Sequence, residues 1–313
     1  MTESGAQLFA RLEARRCLKD IEPRLFPAHG GPEHGDVVEL HGPEGTGKTE
    51  LLYHLLCRCV MPTAAGGLEV EVIFVDTDYS LDMLRLVSIL DRRLSEAHSS
   101  GAASAAAPEL ALRSCLSRLL VVHCSSSSQL VLTLHLLETS FLSRPGLALL
   151  LIDSISAFYW LDRSEGGGST TKQEEKLSKC SLLLARLLRW SWCSSLTEDL
   201  EASGCVGGLH YQMVPMDYRI TVFATCHAIR RNFAGLPASS DSARPHLCRS
   251  WQRLVKHRLL CSREETVDSM SDSVKGDKGE RRRQVFGVQY TSPSLPSHRS
   301  SSFYVSDGGV QFV

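Results

Sequence analysis

The chain has 313 residues, of which 43% are hydrophobic and 22% charged, enough apolar material for one sizeable α/β core. No apolar run approaches the length that spans a bilayer, and the N-terminus lacks the apolar core of a secretory signal, so we expect an intracellular protein with no membrane partner. The net charge of −1 hides an asymmetry, because residues 230–313 hold 14 Lys and Arg against 8 Asp and Glu, a net of +6. That basic part could face nucleic acid, although a solvated charged loop is the commoner explanation for any single cluster of this kind.

The first part of the chain predicts a short lead-in and then a strand, a loop and a helix. Residues 7–21 place apolar side chains at helical spacing, and a stretch rich in Pro, Gly and His follows. Residues 36–40 (DVVEL) are typical of a buried strand, and residues 49–60 (TELLYHLLCRCV) have helical periodicity. We therefore predict a helical lead-in over 1–35 and a single α/β core over 36–313.

Strands and helices alternate beyond this point. The predicted strands are 69–78, 118–124, 146–154 and 217–226, and the predicted helices are 81–94, 128–142 and 172–190. This alternation predicts a mostly parallel sheet flanked by helices. Short strands near 254–262, 284–290 and 302–313 predict C-terminal antiparallel hairpins at the sheet's edge.

Three polar or low-complexity segments interrupt the pattern. Residues 99–108 (SSGAASAAAP) and 263–283 predict surface loops. Residues 190–216 are longer than loops of compact domains usually are. They are either a functional insertion anchored by Trp190 and Trp192, a peripheral loop without a role, or an error in the sequence.

The eleven cysteines include no C-x-x-C pair and no Cys/His spacing that suits zinc. We therefore predict that most of them are reduced core residues.

The segment GPEGTGKT matches the phosphate-binding pattern G-x-x-x-x-G-K-[ST]. It comprises Gly42, Pro43, Glu44, Gly45, Thr46, Gly47, Lys48 and Thr49. Its glycines allow backbone N–H groups to turn toward phosphates, Lys48 would reach the outermost ones, and the Thr49 hydroxyl would complete a Mg²⁺ shell. A loop between a strand and a helix is where this mechanism operates. The sequence therefore predicts a site for ATP and Mg²⁺.

Two other predicted strands end in carboxylates. LALLLIDS at 147–154 ends in Asp153, which could hold Mg²⁺ together with Thr49 or could cap a turn. DTD at 76–78 ends a strand that, in a parallel sheet, opens on the same crevice as the phosphate loop. A carboxylate there could orient the attacking water, or the segment could be a strand-to-helix turn with Asp82 capping the helix.

In this order the motifs resemble the ATPase core of the RecA recombinase family, in its eukaryotic branch. HGDVVELHGPEGTGKTELLYHL is similar to the family's first strand, Walker A loop and helix, VIFVDTD to its catalytic-carboxylate strand, and LLLIDSISAFY to its Walker B strand. VFATCHAI is similar to the strand that ends in a phosphate-sensing amide, and SSFYVSDGGVQF to the terminal hairpin. GPEGTGKTE, DTDYSLDMLRLV and WQRLVKHR are most similar to a recombination paralogue rather than to the main strand-exchange enzyme. The resemblance implies a RecA-like P-loop fold.

Two positions depart from the active recombinases. Asp78 stands where they carry the Glu that activates water, and its side chain is one methylene shorter. A misplacement of about 1 Å can lower a rate by about 100-fold. His227 stands where they carry a Gln that senses the terminal phosphate. The resemblance therefore implies ATP binding with weak hydrolysis, Asp78 and His227 being degenerate catalytic positions.

The resemblance also implies partners. Recombinases of this branch carry an N-terminal helical DNA-binding domain and an F-x-x-A motif that docks on the neighbouring subunit. Here about 35 residues precede the first strand, and none of the ten Phe is followed by Ala at +3. Head-to-tail assembly needs a docking motif on one side of each subunit and a matching binding surface on the other. We therefore expect the end subunit of a hetero-oligomer of RecA-like recombination paralogues, which receives a partner's linker.

The resemblance places DNA contacts in two loops, 162–172 and 228–245. Their cations are Arg163, Lys172, Arg230, Arg231 and Arg244. Phe233 is the one stacking ring of the second loop, which favours sequence-tolerant binding of branched or single-stranded DNA. Solvated loops, with DNA held by partner subunits, explain the same residues. The basic run at 275–283 is a nuclear address, a nonspecific DNA-binding patch or, equally well, a solvated hairpin tip.

Two functions are compatible with these features. The first is an ATP-binding, mostly non-catalytic subunit, in the nucleus and partly in the cytoplasm, that helps to assemble the recombinase on damaged or stalled DNA. The second is a DNA-stimulated ATPase that acts directly in strand exchange.

Overall fold

The structure, a computed structural model, describes most of the predicted core. The described residues are 4, 7, 17–27, 30–99, 108–165, 170–188, 219–227, 247–264, 284–292 and 295–313, without the side chains of 170–173 and 295–298. The segment 190–216, the loop 228–245 and most of the segments 99–108 and 263–283 lie outside these ranges. Arg230, Arg231 and Arg244 therefore lie outside the described residues.

Strands and helices alternate through the first two thirds of the chain, and four strands close it. In chain order they are β1 (Val37–Gly42), α1 (Lys48–Val60), a 3₁₀ turn (Thr63–Ala65), β2 (Glu71–Asp76), α2 (Met83–Ser99), α3 (Pro108–Ser117), β3 (Leu119–His123), α4 (Ser127–Ser143), β4 (Leu147–Asp153), α5 (Tyr159–Glu165), α6 (Thr170–Leu188), β5 (Thr221–His227), α7 (Arg249–Leu254), β6 (His257–Glu264), β7 (Val285–Ser292), β8 (Leu295–Ser306) and β9 (Gly309–Phe312).

The strands form one sheet in the order β3-β2-β4-β5-β1-β6-β7-β8-β9. Neighbours from β3 to β6 pair in parallel, and β6 to β9 pair antiparallel. The predicted fold class is thereby confirmed. The register aligns Asp76 with Asp153 and Gly42 with His227, so the carboxyl ends of β1, β2, β4 and β5 lie level at one edge. In parallel sheets this edge is where ligands bind.

Both faces of the sheet are covered by apolar side chains. Helices α1 and α2 pack on one face together with side chains of the last strands, and α4, α6 and α7 pack on the other. The central strand carries one buried charge, Glu39, whose carboxylate accepts hydrogen bonds from Trp251 Nε1 at 2.7 Å and Arg258 Nε at 2.6 Å. These donors offset the desolvation of the carboxylate.

The structure corrects three predictions of local structure. Residues 254–262 were predicted as a hairpin strand, but α7 ends at Leu254, and β6 pairs in parallel with β1 as well as antiparallel with β7. Helix α3 was not predicted. Residues 17–21 belong to the predicted helix 7–21 but form turns, one of which is closed by a hydrogen bond from Ile21 N–H to Leu18 O. These turns bury the Leu18 and Ile21 side chains in the core.

The described cysteines are all free, and all except Cys17 are buried. Burial raises the pKa of the Cys57, Cys180 and Cys261 thiols to about 12, which keeps them protonated at neutral pH. Over the same described ranges, no helix combines the length and the apolar character needed to cross a bilayer.

Candidate nucleotide-binding site

The phosphate-loop motif lies between β1 and α1, at the carboxyl edge of the sheet. Gly45 and Gly47 have φ angles of 70° and 79°, in the left-handed region that glycine adopts without strain. Gly47 is the N-cap of α1, so the free N–H groups of the helix's first turn face the loop. This is the backbone arrangement that cradles anions.

Lys48 is buried, yet its ammonium has no carboxylate partner among the described residues. Nζ donates to the carbonyl oxygens of Gly42 at 2.9 Å and Pro43 at 2.6 Å, both in the same loop. Burial lowers the pKa of Lys48, because desolvation disfavours the charged form. A buried cation held only by neutral acceptors can still gain from an anion. The loop therefore fits a phosphate group.

The floor of the loop comes from the C-terminal strands. A Cβ at Gly47 would lie 2.9 Å from the Phe303 ring, which stacks on Phe286 with centroids 5.2 Å apart. A Cβ at Gly42 would lie 2.3 Å from the carbonyl oxygen of Cys261. Close packing therefore requires glycine at both positions, and at Gly47 the left-handed backbone conformation requires it as well.

Asp153 ends β4 beside the loop and is joined to three hydroxyl groups. Thr49 Oγ1 donates to its Oδ2 at 2.8 Å, Ser80 Oγ donates to the same oxygen at 3.2 Å, and Thr225 Oγ1 donates to Oδ1. Burial raises the pKa of Asp153, and these hydrogen bonds only partly offset the effect. A desolvated carboxylate of this kind gains from a cation.

Asp76 serves the turn after β2. Its carboxylate accepts the backbone N–H groups of Ser80 at 3.0 Å and Leu81 at 3.3 Å. Asp82 Oδ1 accepts the N–H of Arg85 at 2.9 Å, the capping contact that the sequence left as an alternative.

Asp78, unlike Asp76, is directed away from the turn and toward the end of β5. Its Oδ2 lies 3.3 Å from His227 Nε2, with both side chains about a third exposed. The backbone N–H of His227 donates to Ser156 Oγ at 2.9 Å. The residues that depart from the recombinase pattern therefore form a pair.

Comparison with known proteins agrees with this architecture. The sequence pattern of the family described as Rad51 matches residues 24–203, more than half of the chain. The chain belongs to the Rad51 family. It is 42% identical to DNA repair protein XRCC2 of Mus musculus, over 99% of this chain and 97% of that protein. It is 24% identical to the DNA repair protein XRCC2 homolog of Arabidopsis thaliana, over 93% and 84%.

The similarity to other members of the Rad51 family is shorter. The chain is 29% identical to DNA repair protein RAD51 of Saccharomyces cerevisiae, over 50% of this chain and 35% of that protein. The family predicted from the motifs, and within it the recombination paralogue, is confirmed.

The oxygen atoms of Asp153 and Thr49 are of the kind that Mg²⁺ prefers. Mg²⁺ keeps several waters and is usually held by one or two carboxylates together with substrate phosphates. Thr49 and Asp153 supply one hydroxyl and one carboxylate, and the described residues contain no cluster of three His, Cys, Asp or Glu that could hold a metal by itself. The pair therefore fits a cation that arrives with a nucleotide.

The predicted DNA-contact loop 162–172 is shorter than expected. Helix α5 ends at Glu165 and α6 begins at Thr170, so Arg163 and Lys172 lie on helices. The Arg163 guanidinium lies 5.5 Å from the ring centroid of Trp160, which is 59% exposed. Arg163 thus belongs to an exposed aromatic and cationic surface, because the helical spacing i, i+3 brings the two side chains together.

Sequence reasoning missed the side chains that hold the residues at the carboxyl edge of the sheet in place. Thr225 and Ser80 donate to Asp153, and the Tyr53 hydroxyl donates to Ser80 O at 3.2 Å and accepts Asp82 N–H at 2.8 Å. Burial raises the pKa of Tyr53 to about 12, so its hydroxyl stays protonated. For Thr225 a signal was present, since it lies two residues before His227 on the same strand.

Proposed function

We propose that this chain is the ATP-binding subunit of a recombination-paralogue complex that promotes recombinase assembly on DNA. Its work is homologous recombination repair of double-strand breaks and stalled forks, in the nucleus and partly in the cytoplasm. Membership of the Rad51 family and similarity to proteins named for DNA repair support this role. The observation that carries the nucleotide part is the 2.8 Å hydrogen bond from Thr49 to Asp153, which joins the phosphate loop to the end of β4.

The residues at this edge would divide the work of holding ATP and Mg²⁺. The loop from Gly42 to Gly47 would present backbone N–H groups to the phosphates, and Lys48 would exchange its two carbonyl acceptors for phosphate oxygens. Thr49 and Asp153 would hold Mg²⁺. Bound Mg²⁺ neutralises charge on the phosphates.

Weak hydrolysis follows from the surroundings of the carboxylates. Asp76 is occupied by the turn after β2, and Asp78 is bonded to His227 rather than free to orient a water. This supports a nucleotide-holding subunit over the alternative, a DNA-stimulated ATPase that acts directly in strand exchange.

Paralogue partners would dock on the open edges of the sheet. Strand β3 is the last strand on its side, and within the described ranges its outer edge pairs with no other strand. An unpaired edge accepts an extended segment of another chain through main-chain hydrogen bonds. We therefore propose that β3 receives a partner's linker, which places this chain at the end of the complex. DNA contact by Arg163, Lys172, Arg230, Arg231 and Arg244 is part of the same proposal.

Equilibrium binding of ATP with Mg²⁺ to the full chain tests the nucleotide part. Lys48→Ala should weaken binding by about 10-fold or more, because a charged hydrogen-bond donor is lost. Lys179→Ala is the matched control, since Lys179 is exposed and pairs with Glu175 on α6. Equal binding by wild type and Lys48→Ala would contradict ATP binding at this loop.

Co-purification with RecA-like paralogues tests the partner part. Wild type should be retained in a complex of unlike subunits, and long ATP-dependent filaments of the isolated chain would contradict the end-subunit role. Rapid DNA-stimulated ATP turnover would favour the alternative function.

A further inference from the structure

Two hydroxyl groups from different elements donate to the same oxygen of Asp153. Thr49 Oγ1 lies 2.8 Å from Asp153 Oδ2, and Ser80 Oγ lies 3.2 Å from it. Thr49 is fixed on α1, directly after the phosphate loop. Ser80 belongs to no helix or strand, because it lies in the turn between β2 and α2. Its contact with Asp153 therefore depends on what holds that turn.

The turn is held from α1 by the hydroxyl group of Tyr53. This hydroxyl donates to the backbone oxygen of Ser80 at 3.2 Å and accepts the backbone N–H of Asp82 at 2.8 Å. A phenol can do both at once as long as it keeps its proton. Tyr53 is only 3% exposed, so its ring is fixed by the surrounding core. A single buried hydroxyl thus sets the position of Ser80 relative to α1.

These contacts form a closed ring around the carboxylate. Thr49 and Tyr53 are four positions apart on α1, so both side chains lie on the same face of the helix. The helix reaches Asp153 directly through Thr49, and it reaches the same oxygen indirectly through Tyr53 and Ser80. Hydrogen bonds of this kind restrict the orientation of a carboxylate and tune its affinity for a metal.

We propose that Tyr53 and Ser80 are positioning residues that set the Mg²⁺ affinity of this site by fixing the orientation of Asp153. Ser80 acts on the carboxylate, and Tyr53 acts through Ser80. Neither residue belongs to the phosphate-loop motif. The inference rests on the proposed binding of ATP and Mg²⁺ and adds the side chains that control the metal part of it.

The test compares the ATP affinity of the full chain with Mg²⁺ and in EDTA, both measured by equilibrium binding. The ratio of the two affinities is the contribution of the metal. Tyr53→Phe removes one oxygen atom, and Ser80→Ala removes the donor itself. We expect each to lower the ratio by about 3- to 10-fold, because one hydrogen bond is lost. The affinity in EDTA should not change, since Lys48 and the loop are intact.

Two further variants separate the roles of Tyr53 and Ser80. Adding Tyr53→Phe to Ser80→Ala should lower the ratio no further, because Tyr53 acts through the Ser80 hydroxyl. Ser80→Thr keeps a hydroxyl group at an exposed position and should restore most of the ratio that is lost in Ser80→Ala.

Tyr290→Phe is the matched control for the loss of a buried hydroxyl. Tyr290 is fully buried, and its hydroxyl lies 2.9 Å from His257 Nδ1. His257 aligns with Val38 near the start of β1, at the edge opposite the phosphate loop. Tyr53→Phe and Tyr290→Phe should both lower the melting temperature by about 2–4 °C. Only Tyr53→Phe should change the ratio.

A second readout needs no ligand. The amide hydrogen of Asp82 is bonded to Tyr53, so it should exchange with solvent faster in Tyr53→Phe than in Tyr290→Phe. Ratios within two-fold of wild type for Tyr53→Phe and Ser80→Ala, or equal losses of ATP affinity with Mg²⁺ and in EDTA, would overturn the inference while Lys48-dependent ATP binding stands. If the wild type does not bind ATP under either condition, the proposed function fails as well.

Discussion

Gly45 and Gly47 have similar backbone conformations but different surroundings. Both have a left-handed φ, at 70° and 79°. A Cβ at Gly45 would meet nothing within 4 Å, whereas a Cβ at Gly47 would lie 2.9 Å and 3.1 Å from two atoms of the Phe303 ring. At the residue scale, the loop therefore depends on conformation at one glycine and on conformation and packing at the other.

The Gly45→Ala and Gly47→Ala variants separate these two requirements. Gly45→Ala should cost about 1–2 kcal/mol of unfolding free energy, the penalty for a side chain in the left-handed region. Gly47→Ala should cost about 1–3 kcal/mol more, because the new methyl group overlaps Phe303. Urea denaturation measures both.

The Phe303→Leu variant supplies the control. Part of the extra cost of Gly47→Ala should disappear in the Gly47→Ala/Phe303→Leu double variant. Equal costs for the two single variants would contradict a packed floor beneath the loop.

The start of β1 is joined to the start of β6 by one carboxylate. Asp36 lies just before β1 and accepts a hydrogen bond from His257 Nε2 at 3.1 Å, with Lys256 Nζ at 2.6 Å. Burial alone would raise the pKa of Asp36, but these contacts and the N–H of Glu33 outweigh it and lower the pKa. At the element scale, the Asp36 carboxylate links β1 to β6, the strand pair at which the parallel part of the sheet meets the antiparallel part.

Asp36→Asn tests this link through its dependence on pH. The native pKa lies below the ordinary value of 3.8, so the stabilisation is fully present above about pH 4 and is lost as the pH falls through the native pKa. We expect a cost of about 1–3 kcal/mol at pH 7 that shrinks toward zero as the pH falls below the native pKa. Urea denaturation across pH measures it. The exposed Asp91→Asn should cost less than about 0.5 kcal/mol, and a pH-independent cost of Asp36→Asn would refute the assignment.

The C-terminal strands are part of the same core as the phosphate-loop helix. Phe303 and Val310 are buried in the cluster that contains Leu52 and Leu55 of α1. Arg93 of α2 donates to Gly308 O at 3.2 Å, in the turn between β8 and β9. At the scale of the whole molecule, the last strands therefore support the candidate nucleotide site in addition to extending the sheet.

Deletion of residues 295–313 should therefore unfold the protein. Removing one buried Phe costs about 3–5 kcal/mol, and a domain has only about 5–15 kcal/mol in total. We expect no cooperative thermal transition and no ATP binding, as measured by circular dichroism and equilibrium binding. Deletion of Val313 alone, which is 85% exposed, should preserve both. A cooperative transition in the larger deletion would show that these strands are dispensable.

The sequence by itself determined the features that local patterns encode. The glycines and Lys48 mark the phosphate loop because their chemistry depends on residue types at fixed spacing. Buried parallel strands are continuous apolar runs, so β1, β2, β4 and β5 were predicted to within a few residues. Short elements such as α7 were missed, because six residues hold too little periodicity to separate a helix from a strand.

Only the tertiary structure decided which distant side chains meet. Asp78 and His227 are 149 positions apart, and their contact depends on β4 lying between β2 and β5. Phe303 reaches Gly47 because the sheet continues from β1 through β6 to β8. Strand order and register arise from the packing of whole elements, which no local pattern records. The phosphate-loop motif could therefore be predicted from the sequence, whereas the side chains beneath the loop and the Asp78–His227 contact could not.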